Sequence, residues 1–79
     1  MPDLPGMDIK MKVGNRIREL RKDIAISQEA LANKADVDRT YVTDVENGRR
    51  NVSVEILERI INALEVSFTE FFNSKEFKQ

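Results

Sequence analysis

Apolar residues recur along this chain at the spacing of helix faces, and nowhere do they alternate as they would in a strand. The first stripe consists of Val13, Ile17 and Leu20 and predicts a helix over residues 9–22, with Asp8 as its cap. Gly14 lies inside this helix. Because glycine weakens a helix by up to ~1 kcal/mol relative to alanine, its presence predicts close packing against another element.

A second local signal occurs four times after this helix: an apolar residue, then serine or aspartate, then an apolar residue four positions further on. The instances are Ile26-Ser27-Leu31, Val37-Asp38-Val42, Val52-Ser53-Leu57 and Val66-Ser67-Phe71. Each is typical of a hydrophobic staple around an N-cap, which fixes where a helix begins. They predict helices over residues 27–35, 38–47, 53–64 and 67–73, and Ser67 with Glu70 forms a capping box. The expected fold is all-α, with five helices.

Residues 28–47 are the stretch around which the chain is organised, since they form two short helices joined by a tight turn. Asp36 lies in that turn and tolerates a left-handed backbone, and Gly48 is expected to end the third helix in the same conformation. The third helix has one apolar face and a separate polar stripe made of Thr40, Thr43, Asp44 and Asn47, with Arg39 beside it. A helix with one packed face and one free polar face suits the DNA major groove.

The last two helices have more apolar surface than a small domain is expected to bury. Helix 4 has one stripe of Val54, Leu57, Ile61 and Leu64 and another of Ile56, Ile60 and Ala63. We expect one stripe to fill the core and the other to contact a partner. The predicted dimer surface consists of Ile56, Ile60, Phe68, Phe71 and Phe72. The alternative is that all three phenylalanines close the core.

The 79 residues are enough for one domain, which we place at residues 8–73. Residues 1–7 contain two prolines and a glycine and are expected to be a disordered arm or a remnant of an expression vector. Residues 74–79 are expected to be a flexible tail, with the alternative that Phe77 packs back against the domain.

Net charge is −1, which by itself counts against a nucleic-acid partner. The charges are unevenly distributed, however, since residues 10–22 hold six cations and one anion whereas residues 53–79 sum to −2. The basic run is either part of a DNA-binding surface or a solvated helix face.

The absence of cysteine and histidine removes thiolate metal sites and the commonest general base. We therefore expect neither an enzyme nor a cofactor, metal or small-molecule ligand. No apolar run approaches the ~20 residues of a membrane span and no signal peptide is present, so the expected location is the cytoplasm, without a membrane partner.

Residues 28–47, with the following GRRNVS, resemble the phage-repressor and Xre family of helix-turn-helix regulators. The run VDRTYVTDVENGRRNVSVEILERIINALEVS is most similar to the controller proteins of restriction–modification systems. The resemblance implies a five-helix, lambda-repressor-like domain with its helix-turn-helix at helices 2 and 3. It also implies a homodimer that binds a palindromic operator in double-stranded DNA and regulates transcription.

The same resemblance assigns roles to individual residues. Gln28 matches a phosphate contact, Arg39 and Thr40 match the base-reading start of the recognition helix, and Thr43 and Asp44 lie one turn further on. The loop residues Arg49, Arg50 and Asn51 match phosphate or base-edge contacts, Tyr41 matches either a backbone contact or core packing, and Arg21 with Glu46 matches a structural ion pair. Two departures are Asp36, where the family usually has glycine, and Asp44, where controller proteins have a small or neutral residue.

Two other functions on the same fold remain open. A protein-interaction module would bind another regulator through the apolar C-terminal surface, as the acidic pI and Asp44 suggest. An antitoxin would bind both DNA and a partner protein.

Overall fold

The structure is a computed structural model that describes residues 8–78, and over these residues it contains helices and no strands. The helices are α1 (Ile9–Asp23), α2 (Gln28–Ala35), α3 (Arg39–Glu46), α4 (Val54–Ala63) and α5 (Phe68–Phe71), followed by a 3₁₀ turn at Lys75–Phe77. The predicted all-α fold with five α-helices is thus confirmed. The predicted N-terminal arm, residues 1–7, lies outside the described residues. Within the described part of the chain, each helix is too short or too polar to cross a bilayer.

The helices begin where the staple pattern predicts. The hydroxyls of Ser27, Ser53 and Ser67 each accept a hydrogen bond from the backbone N–H three residues later, at 3.0 or 3.1 Å. Asp8 caps α1 in the same way. Asp38 occupies the N-cap position of α3, but its side chain accepts no capping hydrogen bond. For α3 the predicted start is therefore right, and the capping contact is absent.

Four helix ends turn through a left-handed residue. Asp36 has φ 58° and Gly48 has φ 73°, which confirms both predictions. Ala25 with φ 57° and Glu65 with φ 65° adopt the same conformation. Neither residue type favours this region, so no local signal identified these two ends.

We expect Ala25→Gly to raise the free energy of unfolding by about 0.5–1 kcal/mol. The alanine Cβ disfavours the left-handed region by roughly 1–2 kcal/mol, and the greater freedom of glycine in the unfolded chain offsets part of this gain. Urea unfolding measures the difference. Ala30→Gly is the matched control, because Ala30 lies within α2 and glycine there should lower stability by about 1 kcal/mol. Equal destabilisation by both changes would contradict the left-handed backbone at Ala25.

The helices pack around one core, with α1 against α3 and α2 against both α3 and α4. The most deeply buried apolar side chains, each at 0–1% exposure, are Ile17, Leu31, Ala32, Val42, Val45, Ile60, Ile61, Leu64 and Phe71. Gly14 lies where α1 crosses α3. A Cβ added to Gly14 would lie 2.8 Å from the carbonyl oxygen of Glu46 and closer still to that of Val45. The predicted close packing at this glycine is confirmed.

The division of α4 into a core stripe and a partner stripe is wrong. Val54 of the expected core stripe is 81% exposed, whereas Ile60 and Ala63 of the expected partner stripe are 0% and 6% exposed. Burial follows position along the helix, because the last two turns of α4 are enclosed on several sides and the first turn is not.

The chain after α5 packs against the domain over residues 75–77. The Phe77 ring centre lies 5.0 Å from that of Phe72 and 6.2 Å from that of Phe71. Over residues 75–77 the structure has the alternative arrangement, in which Phe77 packs back, because its apolar ring gains burial by folding onto the domain.

Candidate nucleic-acid interface

The first turn of α3 presents two of the predicted base-contacting side chains to solvent. Arg39 and Thr40 are exposed, and neither side chain has a hydrogen bond or ion pair to any residue from 8 to 78. The opposite face of the helix is fixed, since Val42 and Val45 are 0% and 1% exposed. A rigidly held helix with an exposed guanidinium at its N-terminus is suited to bind base edges in the major groove.

A side chain from α4 holds the turn between α2 and α3. Arg59 donates a hydrogen bond from Nε to the carbonyl oxygen of Ala35 at 3.0 Å, and another from Nη2 to that of Asp36. These contacts satisfy carbonyl groups at the C-terminal end of α2. The sequence contained no signal for this role, because it depends on where α4 passes the turn.

The predicted ion pair between Arg21 and Glu46 is present and belongs to a larger buried network. Nε and Nη2 of Arg21 donate to the two carboxylate oxygens of Glu46 at 2.7 and 3.0 Å. The Glu46 side chain is 0% exposed, and Nε of Arg18 lies 3.5 Å from it. Burial alone would raise the pKa of Glu46, but hydrogen bonds from Arg21 and Gln28 and the charges of the two arginines outweigh it and lower that pKa from its ordinary value of 4.5. An ionised Glu46 therefore joins α1, α2 and α3.

Gln28 and Thr43 extend this network towards the surface. Gln28 donates from Nε2 to Glu46 at 3.0 Å, and the Thr43 hydroxyl donates to Oε1 of Gln28 at 2.9 Å. The predicted phosphate contact of Gln28 must therefore come from the second N–H of its amide or from backbone N–H groups at the start of α2. Thr43 has only acceptor capacity left for DNA, because its proton is used within the protein.

Several arginines of the basic run bind protein atoms. Arg16 donates to the carbonyl oxygens of Glu70 and Phe71, both at 2.7 Å, and Arg18 donates to Oδ1 of Asn47 at 3.2 Å. The Arg16 side chain is 10% exposed and belongs to neither a DNA surface nor a solvated face, whereas Arg18 is 37% exposed while it is bound to α3. These three acceptors lie 29 to 55 residues away in the chain, so no local spacing identified them, whereas the contact of Arg16 with Glu19 at 2.7 Å is local.

Asp44 joins the predicted loop contacts into one cluster. Its carboxylate oxygens lie 3.5 Å from Nη2 of Arg50 and 4.0 Å from Nη1 of Arg49. The guanidinium carbon of Arg50 also lies 4.5 Å from the centre of the Tyr41 ring, in a cation–π contact. We call Tyr41, Asp44, Arg49 and Arg50 the loop cluster. Asn51 is exposed beside it.

Two of the five residues assigned to the dimer surface lie in the core. Ile60 and Phe71 are 0% exposed, so their assignment to a contact surface is wrong. A single-turn helix directs only one of three neighbouring phenylalanines inward, and that one is Phe71. Phe68 and Phe72 are 43% and 38% exposed and Ile56 is partly buried, so these three can still contact a second molecule.

The fold and this arrangement of α2 and α3 are those of a helix-turn-helix protein. The helix-turn-helix family matches residues 17–71, and the chain belongs to that family. This membership confirms the predicted resemblance to helix-turn-helix regulators.

Within the family, the chain is similar to controller proteins. It is 44% identical over 70 residues to control protein C.MunI of Mycoplasma sp., an alignment that covers 87% of this chain and 95% of that protein. Control protein C.BamHI of Bacillus amyloliquefaciens is 42% identical over 60 residues, covering 75% and 74%. The solved structure of the restriction-modification controller protein C.AhdI from Aeromonas hydrophila matches with TM-score 0.76 and 43% identity over 80% of this chain and 96% of that one.

Proposed function

We propose that this chain is a sequence-specific DNA-binding transcriptional regulator, the controller of a restriction–modification system, acting as a homodimer on a palindromic operator. The observation that carries this proposal is the pair of exposed side chains, Arg39 and Thr40, on the first turn of a helix whose other face is locked in the core. The relatives support it, since the controller protein C.Esp1396I, at TM-score 0.77 and 40% identity over 80% of this chain and 83% of that one, has been solved as a tetramer in complex with its natural 35 base-pair operator. We propose the cytoplasm as its location, because the controller relatives come from bacteria, whose DNA lies there.

The described residues divide into base-reading and backbone-binding groups. The Arg39 guanidinium can donate two parallel hydrogen bonds to a guanine edge, and Thr40 beside it can bind either base of a pair. Arg49 and Arg50, in the loop after α3, are placed to bind phosphates, as are the N–H groups at the start of α2. Binding by itself accounts for the proposed regulation, without a catalytic step.

In the proposed homodimer, a second copy of the chain contacts the second half-site of the operator. Two α3 helices related by a two-fold axis would contact half-sites ~10 base pairs apart or a multiple of that spacing. Phe68 and Phe72 provide exposed apolar surface for the contact between copies, together with the partly buried Ile56.

We expect Arg39→Ala to weaken operator binding by about 1–3 kcal/mol and to relax specificity at one base pair of each half-site. The operator is first selected from a random pool of duplexes with the wild-type chain, and affinities are then compared by gel shift for every base at each position. A palindrome among the selected sequences would support the homodimer directly.

Lys78→Ala is the control, because it removes the same charge from an exposed side chain near the far end of the sequence. It should leave the base preference unchanged. If Arg39→Ala bound the operator with wild-type affinity and preference, the assignment of α3 as the recognition helix would be wrong.

A further inference from the structure

A carboxylate lies within the surface proposed to bind DNA. The Asp44 side chain is 26% exposed and is flanked by Arg50 at 3.5 Å and Arg49 at 4.0 Å. Both arginines are exposed, at 45% and 70% of their side-chain surface, so they are accessible to phosphates while they are paired. An acidic residue at this place repels phosphate, and a simple DNA-binding surface gives no reason for it.

The Arg50 guanidinium has two partners that together define its position. The Asp44 carboxylate contacts its Nη2 atom, and the Tyr41 ring contacts its face at 4.5 Å. A planar cation held by an anion and by an aromatic face has less freedom than a cation extended into water. Arg50 is therefore pre-organised beside α3 before any DNA arrives.

We infer that Asp44 is a positioning residue that sets the ratio of specific to non-specific DNA binding by holding Arg50 on Tyr41 and offsetting the charge of the loop arginines. This inference rests on the proposed function. The negative charge weakens attraction to every DNA, whatever its sequence. The positioning of Arg50 favours only the complex in which α3 is seated in the groove. Asp44 thus penalises random DNA more than the operator.

A different role for Asp44 makes a different prediction. A carboxylate that reads the operator directly accepts a hydrogen bond from a cytosine amino group. Its removal would then weaken the operator complex and leave binding to random DNA unchanged.

The test is Asp44→Asn, which keeps the shape of the side chain and removes one charge. The probes are the selected operator duplex and a random-sequence duplex of the same length. At ~0.1 M salt we expect affinity for the random duplex to rise about five- to tenfold, its salt slope to steepen by about 0.9, and the operator-to-random ratio to fall several-fold. Reduced operator affinity with unchanged random-duplex affinity would overturn the inference.

Asp38→Asn is the matched control. Asp38 is an exposed carboxylate at the start of α3 and makes no capping hydrogen bond, so its replacement changes the same charge close to the same surface without releasing an arginine. It should raise both affinities together and leave their ratio unchanged. If Asp38→Asn lowered the ratio as much as Asp44→Asn, charge alone would explain the effect, and the positioning role would be wrong.

A double-mutant comparison identifies the arginine through which Asp44 acts. In an Arg50→Gln background, Asp44→Asn should change the ratio much less than it does in the wild-type chain. In an Arg49→Gln background most of the effect should persist, because Arg49 is the more distant and more exposed partner. The same effect in all three backgrounds would overturn the role of Arg50.

An NMR measurement on the DNA-free chain tests the positioning separately. Tyr41 is the single tyrosine of the sequence, and the part of the Arg50 ring-current shift that is lost in Tyr41→Leu separates its contribution from that of the four phenylalanines. Asp44→Asn should move those resonances towards random-coil positions, and unchanged resonances would overturn the positioning. If the wild-type chain bound neither duplex at ~50 mM salt, the proposed function would fail, while the NMR result would still stand on its own.

Discussion

Replacing Glu46 with alanine is expected to lower the free energy of unfolding by about 3–5 kcal/mol. The Glu46 side chain is fully buried and accepts hydrogen bonds from Arg21 and Gln28. Its removal leaves the Arg21 guanidinium, itself only 13% exposed, beside a cavity with no counter-charge. Because a small domain has a total stability of only about 5–15 kcal/mol, the variant should be close to unfolding. Urea unfolding at pH 7 measures the loss.

Two companion variants separate charge from volume. Glu46→Gln keeps the shape and one acceptor oxygen, so it should lose about 1.5–3 kcal/mol, the value typical of a hydrogen bond to a charged group. Glu58→Ala removes an exposed glutamate of α4 and should stay within about 0.5 kcal/mol of wild type. A loss for Glu46→Ala no larger than that for Glu58→Ala would show that the buried network contributes nothing.

The same network makes stability depend on pH in a known direction. The pKa of Glu46 in the folded chain lies below its ordinary value of 4.5 because hydrogen bonds and arginine charges outweigh its burial. The unfolded state therefore binds the proton first, so this contribution is fully present above pH 4.5 and is lost as pH falls through the folded-state pKa. The stability difference between wild type and Glu46→Gln should shrink over that interval. A difference that stayed constant to low pH would contradict an ionised Glu46.

Gly14→Ala is expected to lower the free energy of unfolding by about 2–3 kcal/mol, which corresponds to a fall in Tm of roughly 10–20 °C. Helix propensity alone predicts the opposite sign, since alanine favours a helix over glycine by about 1 kcal/mol. The added Cβ would meet backbone carbonyl oxygens at the end of α3, including that of Glu46 at 2.8 Å. Backbone atoms cannot rotate away as a side chain can, so α1 and α3 would have to separate. Thermal unfolding followed by circular dichroism gives the sign and size.

Gly48→Ala provides the comparison. A Cβ at Gly48 would lie 2.7 Å from Cγ of Met11, a flexible side chain that can move. The remaining penalty comes from the left-handed backbone, with φ 73°, and amounts to about 1–2 kcal/mol. A stabilised Gly14→Ala variant would mean that the two helices do not approach as closely as the structure shows.

Helix starts were the most predictable part of this protein. Four of the five have a capping contact within three residues, such as Ser27 with the N–H of Ala30, and the sequence displays both partners side by side. Of the four helix ends with a left-handed residue, two could be predicted. Asp36 and Gly48 have residue types that favour a left-handed backbone, whereas Ala25 and Glu65 adopt it without such a preference.

The sequence predicts which residues form the candidate site, but not which of them contact each other. The prediction placed Arg39 and Thr40 on the recognition helix, and both are exposed there. The partners of Asp44 were not foreseen, because the loop after α3 must fold back before Arg50 can meet the carboxylate. The inward positions of Ile60 and Phe71 were also missed, since an apolar stripe does not specify which side of a helix its neighbours will cover.

The sequence by itself therefore determined the helical class, the helix starts, the helix-turn-helix and its family, all of which depend on local spacing and residue type. Only the tertiary structure decided which charges are buried and which remain for DNA. Arg16 and Arg18 look alike in the basic run, yet one binds carbonyl groups of α5 and the other binds Asn47 after α3. The physical reason is that a cation's partner is set by proximity in space, and these carbonyl and amide acceptors come from residues 29 to 55 positions away.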